Sequence, residues 1–383
     1  GWHTLIQPAT YWLHGRGEAI YRGVGELGPI DWSINWKNGL PLLLGGWPLL
    51  LVWRWARRGF DVVEALTCAF VTAQFLVSQR FISYYTIAAL PYLARDLSEW
   101  LAGWKRSPLA LRPALLGPLA AVLMLPLGWL EWTRPEYPLA IALDDRYYPV
   151  AACDYIARNG VRGRAFNHFW LGGYMEYRFW PERDRMPFMD DHLESGTARD
   201  RTLYAYAQVN ADSWHELDRD HRFDFVVLSQ KSHSGDHLRD FFDSDSAWTA
   251  VFVDDAAAVF ARLDGRDSAL ARRDAYHWLP VGPTQLSAMI QRLGADTTLR
   301  APVRAELERM TAASPAHASA ASILAAIAVM DHRRADARRA LEEALRVDPM
   351  FPRAHERIGL LDLQEGRPEA ALARFRLEYR LHE

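Results

Sequence analysis

The sequence predicts a multi-domain chain: a transmembrane α-helical bundle of about four spans, then a small extracytoplasmic α/β domain, then an α-helical tail built from repeats. Three observations predict it. Eleven of the sixteen tryptophans lie before residue 135, while Asp, Glu, Arg and His crowd the remainder of the 383 residues. Apolar runs in the first third give way to short elements separated by turn signals. The last third carries small and large apolar positions that recur at a period of about 34 residues. The expected boundaries are 1–134, 135–265 and 266–383, with the repeat clearest over 316–383.

In the first region, residues 38–53, 65–79, 81–94 and 113–130 lack charges. Each run is shorter than the roughly 20 residues that span hydrocarbon, and the reading relies on polar or snorkelling ends such as Arg54, Asp61 and Glu64 to extend them. Pro118 and Pro126 in the fourth run suit a membrane helix, where neighbouring helices re-satisfy freed backbone groups. Arg54, Arg57 and Arg58 follow the first run, and Lys105, Arg106 and Arg112 precede the fourth. The positive-inside bias puts both clusters in the cytoplasm and everything after about residue 134 outside it. This predicts a bacterial cytoplasmic (inner) membrane protein with the lipid bilayer as its partner.

The second region begins near Tyr147. Residues 149–158 read as an amphipathic helix ended by Asn159-Gly160. Residues 164–168, 186–190 and 223–229 read as strands, and 248–253 with 257–263, joined across Asp254-Asp255, as a hairpin. The expected sheet is open, parallel in its first part and closed by the antiparallel hairpin. Such sheets bind ligands beyond the carboxyl ends of their strands. Asn167, His168, Asp190, Asp191, His192 and Ser229 fall there, with Trp170, Gly172, Gly173 and Tyr174 following the first strand directly. These residues form the candidate ligand-binding edge. Gly172-Gly173 is neither a Rossmann fingerprint nor a P-loop and reads as a tight strand-to-helix connection. Asp190, Asp191 and His192 could hold a divalent cation, but adjacent residues rarely aim at one ion and strand-end carboxylates commonly cap a turn, so no metal ligand is assigned.

In the third region Ala337, Leu341, Ala344 and Pro349 occupy the small, large, small and proline positions of a tetratricopeptide repeat's second helix. One period later Ala325 becomes Gly359, Ala337 becomes Ala371 and Leu341 becomes Phe375. Stacked repeats bury a continuous seam and can present a groove to a protein partner.

Charge and cysteine content narrow the function classes. A net charge of −3 leaves no basic excess to displace counterions from phosphates, which excludes a dedicated nucleic-acid surface. Two cysteines, Cys68 and Cys153, make no disulfide framework. The chain starts at Gly1 with no signal-peptide pattern and is read as a segment of a longer protein.

The order of features resembles the C-terminal part of bacterial multi-spanning proteins related to the C-superfamily of polyprenyl-phosphate-sugar-dependent glycosyltransferases. The residues that carry the resemblance are Gly25-Glu26-Leu27-Gly28-Pro29-Ile30-Asp31-Trp32, Arg80 with Tyr85-Thr86-Ile87-Ala88-Ala89-Leu90-Pro91, and Phe166-Asn167-His168-Phe169-Trp170-Leu171-Gly172-Gly173-Tyr174, followed by Pro181 and Phe188-Met189-Asp190-Asp191. Relatives carry Trp-Gly-Gly-Tyr and Asp-Gly-Arg; here Leu171 is an extra residue and Asp191-His192 stands where Gly-Arg would be. The resemblance implies sugar transfer from a polyprenyl-phosphate carrier on the extracytoplasmic face, with an acidic general base in the first external loop and a divalent cation in the intact protein. No position here matches that acid, so the catalytic residues are unknown; Glu26, Asp31 and Arg80 are candidates to line a membrane cavity. The alternative is a non-catalytic, membrane-anchored assembly protein that captures a partner through its repeats.

Overall fold

The computed structural model describes residues 18–22, 24–36, 40–102, 143–192, 196–231 and 235–382, with isolated positions elsewhere. The chain divides into two compact units, Gly1–Arg134 and Pro135–Glu383.

The first unit is built on helices α1 (Leu40–Arg58), α2 (Val62–Val77) and α3 (Ile82–Ala102). Gly59, with φ of +91°, ends α1, and the Asp61 carboxylate starts α2 by accepting the Val63 and Glu64 amides at 3.0 and 3.1 Å. Trp47, Cys68, Phe75, Tyr85 and Ala89 form the core between the helices. Pro48 lacks the N–H that would serve the Leu44 carbonyl, and the Tyr85 hydroxyl donates toward the Leu43 and Leu44 carbonyls at 3.1 Å instead.

The expectation of membrane spans is overturned here: no helix among the described residues is long and apolar enough to cross a membrane. The physical reason lies in the charges that border the apolar runs. Arg54, Glu64, Arg95 and Asp96 do not reach outward to lengthen the runs, as snorkelling requires; they turn inward and pair. Glu64 and Asp96 are completely buried. Arg95 pairs with both, Trp47 Nε1 donates to Glu64 at 3.3 Å, and Arg54 bridges Asp96 and Glu99 at 3.2 and 2.9 Å. α2 has only 16 residues; α1 ends in arginines, and α3 carries Arg95, Asp96 and Glu99. The inner-membrane localisation derived from the spans falls with them. The fourth run, 113–130, and the basic residues Lys105, Arg106 and Arg112 lie outside the described residues, apart from isolated positions in the run. Large apolar side chains including Leu42, Leu66, Phe70 and Ile87 are exposed on the outer faces of the three helices.

Glu26 and Arg80, expected to line a membrane cavity, form an ion pair of 3.6 Å in which both side chains are exposed. The turn bearing Glu26 is stapled to the α2–α3 corner by Gln79 Nε2 on the Gly25 carbonyl at 2.7 Å and Ser78 Oγ on the Glu26 carbonyl at 3.1 Å. Asp31 is exposed, and its carbonyl accepts the Asn35 carboxamide at 2.9 Å.

The second unit starts with α4 (Val150–Arg158), β1 (Ala165–Asn167) and α5 (Phe169–Phe179). A helical pair, α6 (Ala198–Ala207) and α7 (Ala211–His221), precedes β2 (Phe225–Ser229); α8 (Leu238–Ser244) then leads into the hairpin β3 (Trp248–Val253) and β4 (Ala257–Arg262). The sheet order is β1-β2-β4-β3. β1 and β2 are parallel, and β4 runs antiparallel to both β2 and β3, with a register irregularity between Ala250 and Phe252. Every residue of β2 is buried, which matches its unbroken apolar run. α4 and α5 supply Cys153, Ile156, Leu171 and Met175 to the core against Phe225 and Val227. Trp214 of α7 sits buried among Phe166, Phe223, Phe242 and Trp248.

The helical part comprises α9 (Ser268–Asp274), α10 (Pro283–Ala295), α11 (Arg300–Ala313), α12 (Ala318–Met330), α13 (Arg334–Val347), α14 (Ala354–Gln364) and α15 (Pro368–His382). Ala325, Ala328, Ala337 and Leu341 pack with Ile358 and Leu361 into one seam. Gly359 is required by that stacking, since a Cβ there would stand 2.7 Å from Phe375. The hairpin turn of the sheet holds this part in place. Asp255 accepts the Ala318 and Ser319 amides at 2.6 and 3.1 Å and so caps α12, while Asp254 accepts the Ser314 hydroxyl at 2.8 Å.

Candidate functional site

The carboxyl end of β1 is organised by two buried polar side chains, Asn167 and His168. The Asn167 carboxamide donates to the Met189 carbonyl at 2.6 Å and accepts the Phe188 and Met189 amides at 2.8 and 3.3 Å. A side chain thus does for residues 186–190 what a neighbouring strand would have done. This explains why that segment, expected as a strand, forms none: its backbone groups at the crossing are already satisfied.

His168 ties the two parallel strands together at the same end. Its amide donates to the Val227 carbonyl at 3.2 Å, and its Nδ1 accepts the Ser229 amide at 2.9 Å. Since Nδ1 accepts, a neutral ring carries its proton on Nε2, which faces Asp236 Oδ2 at 3.2 Å. Asp236 is buried beside it and accepts the Leu238 amide at 3.0 Å, starting α8. The imidazole stacks on Trp170 with 4.6 Å between ring centres.

α5 then carries the predicted edge residues on two faces. On one, Gly172 lies so close to the following loop that a Cβ would stand 2.3 Å from the Met189 carbonyl oxygen and 2.7 Å from the Asp190 α-carbon. Gly172 therefore serves close packing. At Gly173, which is exposed, a Cβ would meet only the Asp191 carboxylate at an ordinary 3.5 Å. One helical turn beyond Gly172 stands Glu176, whose carboxylate, with one ligand atom each from Asp190 and His192, forms a group within 4.8 Å. The His192 amide donates to Asp190 Oδ1 at 2.8 Å, as a capped turn requires. Glu176, Asp190 and His192 are the residues of this edge that could hold a divalent cation.

On the other face Trp170, Tyr174 and Tyr177 follow at helical spacing, and Tyr148 joins them from the start of the unit. Tyr148 and Tyr177 lie 6.1 and 6.0 Å from Tyr174, ring centre to ring centre. Tyr177 is 77% exposed and Tyr148 42%, whereas Tyr174 is half-buried, which pushes its hydroxyl above the usual phenol range. α5 thus carries a cluster of aromatic side chains on one face and a carboxylate–imidazole group on another. Aromatic faces pack on the C–H surfaces of polar rings, and carboxylates accept from hydroxyls, so each of the two faces suits part of a polyhydroxylated ligand.

The structure brings Asn167, His168, Gly172, Asp190 and His192 together, with Asn167 and His168 buried as organisers behind the surface residues. Glu176, Asp236, Tyr148 and Tyr177 were missed from sequence. Glu176 and Tyr177 had a signal, the i+4 spacing from Gly172 and the i+3 spacing from Tyr174 on one helix; Asp236 and Tyr148 had none. Scanned against protein-family models the chain matches none, and no curated protein matches it in sequence.

Proposed function

We propose that the second unit is a saccharide-binding module serving a sugar transfer whose donor is a polyprenyl-phosphate sugar. The observation that carries this reading is that one helix, α5, carries the cluster of Tyr148, Tyr174 and Tyr177 on one face and the group of Glu176, Asp190 and His192 on another. Resemblance of the Phe166–Tyr174 and Phe188–Asp191 stretches to the glycosyltransferase-related proteins supports it from sequence. In this role Tyr177 and Tyr174 stack on a sugar ring, Asp190 and Glu176, around the helix from them, accept hydroxyls of another ring of the same oligosaccharide, and Asn167 and Gly172 hold the loop that presents Asp190. A divalent cation, which the resemblance implies for the intact protein, would find its ligands in Glu176, Asp190 and His192.

The test is titration of the chain with mono- and oligosaccharides, followed by calorimetry. Binding that falls at least tenfold in Tyr177→Ala and in Asp190→Asn, with unchanged circular dichroism, supports the reading. Binding that is absent, or unchanged from the parent chain in both variants, refutes it.

A second reading, capture of a protein partner through the helical repeats, is favoured by the last helical pair, where Leu360, Leu363, Leu372 and Tyr379 are exposed. Removal of α14 and α15 then abolishes partner capture while saccharide binding persists.

A further inference from the structure

At the opposite end of the sheet, where β4 finishes and β3 begins, lies a cleft of about 880 Å³. It opens between β3, α8, α9 and α10 and is closed along one side by residues 275–280. That strap is firmly held: the Tyr276 amide donates to the Ala250 carbonyl at 2.8 Å, and the buried Glu306 carboxylate accepts the amides of His277, Trp278 and Leu279 at 2.7 to 3.0 Å. The volume falls in the range of small-molecule sites, roughly 300–1,000 Å³.

Trp248, Phe260, Tyr276 and Met289 give the cleft an apolar and aromatic lining, and Arg272 of α9 and Arg292 of α10 line it too. Several arginines near the cleft are neutralised by a carboxylate: Arg262 by Asp218 and Asp264, Arg273 by Asp274, Arg300 and Arg304 by Asp331. Arg272 and Arg292, by contrast, have no carboxylate within 4.0 Å among the described residues; Arg272 donates to the Leu263 carbonyl at 3.1 Å. The acids of the cleft are engaged otherwise. Asp243 accepts the Val281 and Gly282 amides at 2.9 and 2.6 Å, and Asp245 accepts the Ala247 amide at 2.9 Å.

We propose that this cleft binds a small molecule that joins an apolar or aromatic ring to an oxyanion, a carboxylate or a phosphate monoester, the ring lying against the apolar lining of the cleft and the oxyanion meeting Arg272 and Arg292. Both arginines are exposed at the mouth of the cleft, and guanidinium groups without a carboxylate partner are natural receptors for either oxyanion. The site lies at the amino ends of β1 and β2, away from the Asn167–His192 edge, and does not depend on the reading proposed for that edge.

The test uses the full chain with phenyl phosphate and benzoate as probes and phenol as the uncharged control, read by tryptophan fluorescence and calorimetry. At least one of the two anions binds at millimolar concentration or tighter, phenol binds at least tenfold more weakly, and Arg272→Gln with Arg292→Gln weakens the anion at least tenfold. Stronger binding of phenyl phosphate identifies a phosphoryl ligand, and stronger binding of benzoate a carboxylate. Arg292→Lys, which keeps the charge, retains part of the affinity and shows that the loss is not one of folding. Binding of neither anion, equal binding of phenol, or unchanged affinity in the double variant overturns the proposal.

Discussion

Gly172 and Asp190 approach so closely that the Asp190 α-carbon lies 2.7 Å from where a Cβ on residue 172 would stand. The neighbour is backbone and cannot rotate away. Gly172→Ala therefore destabilises by about 1–3 kcal/mol through overpacking, despite alanine's better helix propensity. Gly173→Ala, in the same turn with only ordinary contact, is neutral or stabilises by up to about 1 kcal/mol. Chemical denaturation of the two variants beside the parent chain measures both, and equal effects of opposite expectation would contradict the geometry.

Replacing His168 by Ala leaves the Ser229 amide without its acceptor and removes the imidazole that lies 3.2 Å from the buried Asp236 carboxylate. The expected loss is about 3 kcal/mol, the sum of one orphaned amide and one exposed-to-nothing carboxylate. Hydrogen exchange at Ser229 rises in parallel. Asp236→Asn, which keeps an acceptor for the Leu238 amide, costs less than half as much.

Asp254 gives a pH signature. Burial pushes its carboxyl up to about 7 from the usual 3.8, and Asp243 is raised to about 6 by the same cause. In the window between the ordinary and raised values the folded chain holds a proton that the unfolded chain has lost, so stability falls as pH rises from about 4 to 7 and then levels. The slope from one such group is at most about 1.4 kcal/mol per pH unit. Asp254→Asn flattens the part of this slope between the Asp243 and Asp254 values. Denaturation midpoints at several pH values check it, and a parent chain that gains stability across this window would be inconsistent with a protonated Asp254.

Glu306 organises the strap over the large cleft by collecting three consecutive amides. Glu306→Ala leaves them to water or to nothing, at a cost of about 2–3 kcal/mol and with local opening ahead of global unfolding. Limited proteolysis then cuts first within residues 275–282, a segment that resists cleavage in the parent chain.

The sequence was informative where pattern alone decides structure. The apolar run of β2, the Asp254-Asp255 hairpin and the 34-residue spacing that leads from Ala337 to Ala371 all rest on local periodicity and turn chemistry, and the corresponding strands and helices stand in the structure. Two expectations failed because side chains from distant elements intervened. Residues 186–190 have the composition of a strand, yet Asn167 occupies the backbone groups a ladder would need. The first three runs read as membrane spans are apolar over 14 to 16 residues, but whether Glu64, Arg95 and Asp96 snorkel outward or pair inward depends on three helices at once. No single run contains that information. The same holds for the edge of the sheet: Asn167 and His168 were legible from their place after a strand, whereas Asp236 reaches them from an element 68 residues later.

The capping of α12 by Asp255 sets how the second unit can be dissected. The acid that starts this helix belongs to the loop between two strands, so a tail fragment beginning at residue 266 would leave its own initiation signal behind on the excised sheet. The sheet, in turn, would carry a carboxylate pair deprived of Ser314, Ala318 and Ser319. Cutting where composition changes would sever a shared nucleus, and neither piece would inherit a complete set of instructions for folding.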